Sequence, residues 1–408
     1  MLRAIDGFDW GSVASIYPEN TLRLKYVAGS KPGSLQPSPG RFGGNAGRMG
    51  LIGTYFPECS WDFDAQPKWY ISFALKPITF FSALGWGDGQ MLRLDSTTLG
   101  GPIFSLAIDA FGQLRCYTGG DGGADRGSLI GIAPVVLPVG TWASIDLVVD
   151  VSGRLVEVWI NDARQLHITN VVWANGPTRY ADRFTWMWRP NRNNTGYDVD
   201  DFAIADGQGS LNNGRLGPGR VVLARPRADA THPQWTRSPN NSDGHPATAD
   251  YQCVNDQNAV VGFPDGDHSY LEPGAPSMVD LFQLTSTPCF GRNMGIALNA
   301  VLKGASLPAT LELVVRANPS TATITAIGGT VGGILPYTFT SSYVCRQNVS
   351  ETAVARPGQP WTDGDLANGW WGIRSAVGTP RVTTVFLEKF TTLRPVSYDC
   401  GGLGSYAF

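Results

Sequence analysis

Cleaving a glycosidic bond takes two carboxyl groups aimed at one sugar, and on a strand that means acidic residues at alternate positions. The seven glutamates of this chain, Glu19, Glu58, Glu157, Glu272, Glu312, Glu351 and Glu388, never stand in a Glu-x-Asp-x-Glu or Glu-x-Asp-x-x-Glu run. The nearest arrangement is Asp198 and Asp200, with Asp201 directly after. Hydrogen bonding to the glycine-rich turn that follows, or solvated strand-end charge, competes with catalysis for those side chains. No catalytic residue is expected, and the chain does not read as an enzyme. Gly-x-Ser-x-Gly is missing. Gly328-Gly329-Thr330-Val331-Gly332-Gly333 lacks the G-x-G-x-x-G order of a phosphate cradle and runs into Ile334-Leu335-Pro336, not a helix.

Metal chemistry is equally thin. His167, His232, His245 and His268 share no ligand spacing with one another or with the six cysteines, so no zinc site is expected. Asp265-Gly266-Asp267 and the Asp198–Asp201 run are acidic enough for calcium, yet neither supplies the D-x-[DN]-x-[DN]-G frame with a distal glutamate. The expectation is no cofactor, with calcium the one ion left open. Aromatic rings are the remaining resource: 13 Trp and 13 Tyr would suit a sugar-stacking surface. Sandwich cores consume such rings too, and Phe184, Trp186 and Trp188, on one face of one strand, are expected there. Trp235, Tyr270, Trp361, Trp370 and Trp371 lie in or near turn-rich segments and are the expected binding residues, as interface anchors.

The elements that would position these groups are strands. Six Lys and seven Glu in 408 residues are too few for long solvated helices, while 50 Gly and 28 Pro punctuate the chain densely. Asp-Gly occurs seven times, and such pairs tolerate the positive φ of tight turns. Between turns run alternating segments. Residues 21–26 put Leu22, Leu24 and Tyr26 on one face; residues 69–75 turn Trp69, Ile71, Phe73 and Leu75 inward. Residues 103–108, 142–149 and 155–160 follow suit, and later 221–223, 278–284, 294–301, 310–316, 337–344, 370–374 and 381–390. The fold class is all-β: two antiparallel β-sandwich (jelly-roll) domains, 1–206 and 221–408, joined by a Gly-rich connector at 207–220. A long irregular loop, 226–276, interrupts the second.

Charge and hydropathy exclude several partners. A net charge of -3 gives no footprint for nucleic acid. The best apolar stretch, 130–139, is broken by Pro134 and Pro138, far short of the ~20 residues a membrane helix needs. The first residues show no signal-peptide core, so the six separated cysteines are expected reduced and buried.

Two resemblances sharpen the reading. Residues 140–162 form a hairpin in which Trp142 opens one strand, Ser152-Gly153 turns the chain, and Asn161-Asp162 closes the next. This resembles the late hairpin of concanavalin A-like (laminin G-like) jelly rolls and implies that fold for 1–206. Further on, Tyr197-Asp198-Val199-Asp200-Asp201-Phe202 leads to Asp206-Gly207-Gln208-Gly209-Ser210-Leu211-Asn212-Asn213 and Leu216-Gly217-Pro218-Gly219-Arg220-Val221. With Gln234-Trp235-Thr236, Tyr251-Gln252-Cys253-Val254-Asn255, Asp267-His268-Ser269-Tyr270 and Trp361-Thr362-Asp363-Gly364-Asp365-Leu366 downstream, most of 197–390 resembles minor structural, fibre or tail-associated virion proteins of tailed bacteriophages. It departs at Gly217-Pro218-Gly219, where that family has Gly-Asp. The resemblance implies a non-enzymatic virion component, a capsid- or tail-associated decoration or fibre protein. Its partners would be other virion proteins and further copies of itself in a trimer or larger ring, with a host surface glycan as an additional contact. The virion would be its location. The alternative is a glycan-binding or glycan-cleaving adsorption protein. Residues 226–276, with Trp235 and Tyr270 as anchors, are expected at a subunit interface, because ordering fifty-odd residues without a core of their own costs about 1 kcal/mol each or more.

Overall fold

The structure, a computed structural model, describes residues 1–9, 35–50, 58–80, 89–98, 100–119, 127–174, 176, 179–187, 196–230, 233–241, 245–255, 267–288, 291–304, 309–320, 322–327 and 343–393. It is nearly all β, with one short α-helix among these residues. Four antiparallel sheets hold the strands, and none mixes strands from before residue 206 with strands from after 219.

The first eight-stranded sheet runs in the order Ala163–Ile168, Leu155–Ile160, Ala143–Asp150, Lys68–Thr79, Gly196–Asp206, Asn45–Gly50, Leu35–Pro39, with Leu2–Asp6 also paired to Gly196–Asp206. Alternation on Lys68–Thr79 sends Trp69, Ile71, Phe73 and Leu75 into the core, all at most 1% exposed. They meet a six-stranded sheet, Glu58–Gln66, Ala181–Met187, Gly89–Ser96, Gly101–Ile108, Gln113–Thr118, Ser128–Val136. Phe184 and Trp186 project from it, and Trp186 packs edge-on against Phe73 at 5.1 Å and Phe184 at 5.0 Å. These two are core residues as expected; Trp188 and residues 21–26 lie outside the described residues. The Asn161-Asp162 turn has both φ positive, 48° and 69°, the two-residue hairpin geometry those residue types favour.

In the second half, Trp235–Arg237, Leu271–Pro273, Pro380–Thr392, Asn293–Gly304 and Val344–Ser350 form one sheet, with Gly219–Ala224 also on Pro380–Thr392. Pro226–Asp229, Val279–Leu284, Trp370–Val377, Thr310–Arg316 and Thr325–Ala326 form the other. Val344–Ser350 is a strand, and all but the last two residues of the strand expected at 337–344 lie outside the described residues. Asp363–Asn368, expected as turn, is the helix. Thr362 Oγ1 accepts the Asp365 N–H at 3.2 Å, and Asp365 accepts the Thr362 N–H at 2.7 Å, a reciprocal cap that starts the turn.

Residues 226–276 are less irregular than composition suggests. Their described part contributes three strands and the 3-10 turn Asp250–Cys253, and it inserts Trp235, Cys253, Val254 and Leu271 into the core of the second half. A few large anchors on the chain's own sheets therefore compensate part of the ordering cost of the described residues. Cys59, Cys116, Cys253 and Cys345 are buried, and burial pushes the Cys116 thiol up to about 12.

The halves meet on the outer face of the eight-stranded sheet. Leu2, Ile5, Tyr70, Val148, Ala203 and Ala205 pack there against Leu216, Val221, Met294, Ala297 and Phe390. The connector is clamped. Arg215 pairs with Asp146 at 3.1 Å and with Asp162, its guanidinium lies 4.2 Å from the Trp159 ring, and Ser72 Oγ donates to Gly217 O at 2.9 Å. Asn212 Nδ2 reaches Met294 O at 2.6 Å and Glu351 Oε1 at 2.8 Å.

Candidate functional site

Outward residues of Lys68–Thr79 alternate with the core set: Tyr70 lies under the second half, Ser72 under the connector, and Lys76 about 20 Å beyond Tyr70 at 3.3–3.4 Å per residue. Strand register sets Arg48 and Lys76 on either side of Asp198, because Asp198 is paired with Arg48 on one neighbour and Lys76 on the other. Ala143 pairs with Leu75, so the next residue outward, Trp142, stands beside Lys76. The result is a straight row across four chain segments: guanidinium, carboxylate, ammonium, indole.

Its contacts are short. Asp198 accepts from Arg48 Nε at 2.7 Å, Arg48 Nη2 at 3.1 Å and Lys76 Nζ at 2.8 Å, and Lys76 Nζ lies 4.8 Å from the Trp142 centroid. Burial alone would raise the Asp198 carboxyl, but the hydrogen bonds from Arg48 and Lys76 outweigh it and hold the group below the usual carboxylate range. Asp198 is fully enclosed, whereas Arg48 and Lys76 are 29% and 17% exposed. The carboxylate is thus the buried anchor, and the two cations and the half-buried indole are what the row presents. Two of the five N–H groups of Arg48 and one of the three of Lys76 serve Asp198.

Beside the row a β-bulge brings further carboxylates to the same face. Register shifts between Asp200 and Ala203, with Asp201 in the left-handed region at φ 54°, a conformation Asp tolerates better than most residues. Asp200 accepts the Arg41 and Asp201 N–H groups, each at 2.8 Å; Asp201 Oδ1 accepts the Val221 N–H at 2.8 Å; Asp9 Oδ1 accepts the Asn45 N–H at 2.7 Å. Burial pushes Asp201 up to about 7 and Asp9 up to about 6. Burial and then the adjacent Asp201 carry Asp200 well above its ordinary value. Asp198 and Asp200 have oppositely displaced acidities, as an acid and a base would. Their oxygens, however, are occupied by internal donors and neither side chain is exposed, which suits fixing the bulge and the joint with Val221.

Of the five sequence-expected binding residues, Trp235, Trp361 and Trp371 share the core of the second half, and Trp370 and Tyr270 lie outside it. Trp235, Trp361 and Trp371 are 5%, 2% and 0% exposed; their indole N–H groups donate to Met278 O, Ser350 Oγ and Leu366 O. Trp361 and Trp371 pack at 5.2 Å. All three are core anchors with no face left for a partner: turn-rich sequence marked where the chain bends around them. Trp370 and Tyr270 are half-buried, each beneath a guanidinium, Arg316 at 4.9 Å and Arg381 at 3.9 Å. Asp267 accepts from Arg381 at 2.7 Å, from Tyr343 OH at 3.0 Å and from Lys303, so it closes an ion-pair network; Asp265 lies outside the described residues. Among the described residues no group of three or more His, Cys, Asp or Glu side chains has the geometry of a metal site. Arg48, Lys76 and Trp142 escaped sequence reasoning because they converge only through register. One signal was present: Lys76 is the one charge between Trp69 and Thr79.

No protein-family model and no curated protein matches the chain. Solved structures share parts of it. A sialidase aligns over 44% of this chain and 16% of its own at 10% identity and TM-score 0.32. The carbohydrate-binding module CBM66 from Bacillus subtilis aligns over 42% and 92% at 11% identity and TM-score 0.28. The cellulose-induced protein Cip1 aligns over 53% and 99% at 16% identity and TM-score 0.35. At such distances the likeness carries no information about ligand or activity.

Proposed function

We propose that this protein is a non-catalytic glycan-binding component of the adsorption apparatus of a tailed-phage particle. The observation that carries the glycan reading is the Arg48–Asp198–Lys76–Trp142 row. A sugar offers an apolar ring face and a rim of hydroxyls; the row offers donors locked by a buried carboxylate and the part of the Trp142 indole that Lys76 Nζ, 4.8 Å over its ring, leaves uncovered. The occupied oxygens of Asp198 and Asp200 support binding without cleavage. The siting in a virion rests on the resemblance of residues 197–390. Binding to purified host-surface polysaccharide, followed by affinity electrophoresis, tests the reading. Wild type should be retarded and Trp142→Ala should lose retardation while keeping its melting temperature, with no reducing ends released by either. Equal retardation of both proteins, or saccharide cleavage abolished by Asp200→Asn, would overturn it.

A further inference from the structure

The Ser128–Val136 strand ends the six-stranded sheet, paired to Gln113–Thr118 on one side and to no strand among the described residues on the other. An open strand edge is a row of backbone donors and acceptors, and chains usually guard it with charge or proline. The strands at the other three sheet ends of the first half do so: Glu58, Asp62 and Asp64 on Glu58–Gln66, Arg164 and His167 on Ala163–Ile168, Pro37 and Pro39 on Leu35–Pro39. Ser128–Val136 has only Pro134, and residues 127–140 contain no charge at all. Its outward side chains are apolar instead. Leu129, Ile132, Val135, Val136, Val139 and Phe111 are 36–67% exposed, six of the nine exposed large apolar residues among the described ones. Phe111 joins the patch because Leu137 N–H donates to Gly112 O at 2.9 Å and Gln113 pairs with Val136. Behind the strand Ala133 and Leu137 are buried, and Leu166 and Ile168 lie against Gly131. The strand is therefore anchored to the core while its outer side stays exposed.

We propose that two copies of this chain pair through Ser128–Val136, antiparallel about a two-fold axis near Ile132, to make one sheet with six strands from each copy. Charge identifies the occupant. Across a two-fold each residue near the axis meets its own kind, so a charge there would face its like; this segment holds none. The shape of the strand agrees. Its register shifts lie between Leu129 and Gly131 and between Ile132 and Val136, on either side of Ile132. An axis there sets one irregularity against the other, a match that a regular strand from another protein lacks. At about 3.3 Å per residue the edge runs about 30 Å. With one flanking turn it makes a contact of the small class, under about 1,200 Å² in total, so association in the micromolar range is expected. Pairing uses up the open edge of both strands, so assembly stops at the dimer. This contact is independent of the glycan-binding row and of residues 226–276.

Sedimentation velocity on the full chain from about 1 µM to about 200 µM tests the pairing. Wild type should move from the mass of one chain to twice that mass and no further. Leu129→Lys/Val136→Lys and Leu129→Glu/Val136→Glu set like charges across the axis at exposed positions. Each variant alone should self-associate at least about a hundredfold more weakly, with an unchanged melting temperature. Mixed in equal amounts, the two should form a dimer with one chain of each, because opposite charges then face each other. Wild type that stays monomeric at the highest concentration, or a dimer that survives in both variants, would overturn the proposal. Larger oligomers, or variants that stay apart when mixed, would overturn the two-fold antiparallel pairing.

Discussion

Asp280→Asn should make this protein more stable at neutral pH. Asp280 is fully enclosed on Val279–Leu284, beside Asp250 of the 3-10 turn and Asp229 of Pro226–Asp229. Asp229 uses its oxygens on the N–H groups of Asp250 at 2.9 Å and Tyr251 at 2.6 Å, and Arg237 lies 3.5 Å from Asp250. The Asp250 and Asp280 carboxyls hydrogen-bond to each other, an arrangement that a proton held on Asp280 satisfies. Burial first, then Asp250, pushes Asp280 up to about 10 from an ordinary 3.8. The folded chain therefore keeps a proton that the unfolded chain releases. The stability tied to this group is fully present below pH 3.8 and declines as pH rises toward 10, by about 1.4 kcal/mol per pH unit. Between 3.8 and 7 that amounts to roughly 4 kcal/mol as an upper bound. Asparagine supplies an amide N–H toward Asp250 with nothing to lose. Urea unfolding followed by tryptophan fluorescence at pH 4, 5.5, 7 and 8.5 should show a variant within about 1 kcal/mol of wild type at pH 4 and increasingly ahead above it. A difference that does not change with pH, or a variant weaker throughout, would refute the shared proton.

Trp371→Ala, which removes a fully buried ring packed on Trp361, should cost about 3–5 kcal/mol in the same assay; a loss below ~1 kcal/mol would mean the core collapses around the gap. Asp267, held down to about 2 by hydrogen bonds from Lys303, Arg381 and Tyr343 against its burial, stabilises above pH 3.8, and that contribution disappears as pH falls toward 2. It is 53% exposed, so Asp267→Asn should cost less than about 1 kcal/mol at pH 7 and nothing measurable in 1 M salt. Arg215→Ala should loosen the connector, seen as faster proteolysis within 207–220 at unchanged core stability.

Sequence made the strands legible because they depend on local alternation. Leu155–Ile160 and Thr310–Arg316 fall where the pattern set them, and Lys68–Thr79 extends it by a few residues. The helix was missed although Thr362 and Asp365 have capping-box spacing, since Gly364 and the neighbouring turn residues outweighed it. The candidate site was mostly illegible. Asp198 and Asp200 stood out by alternation, but the partners of Asp198, Arg48 and Lys76, lie 150 and 122 positions away and meet it only through register. Ring burial was misjudged for a related reason: Trp235, Trp361 and Trp371 sit beside turns in sequence while their side chains point into the core.

The most direct test of the central claim is a structure determined from crystals of the full chain soaked with an oligosaccharide cut from the host-surface polysaccharide. Glycan binding at the row requires density for a sugar against Trp142, with its hydroxyls within hydrogen-bond distance of Arg48 or Lys76. A sugar lodged elsewhere, or a bare row at saturating ligand, would contradict it.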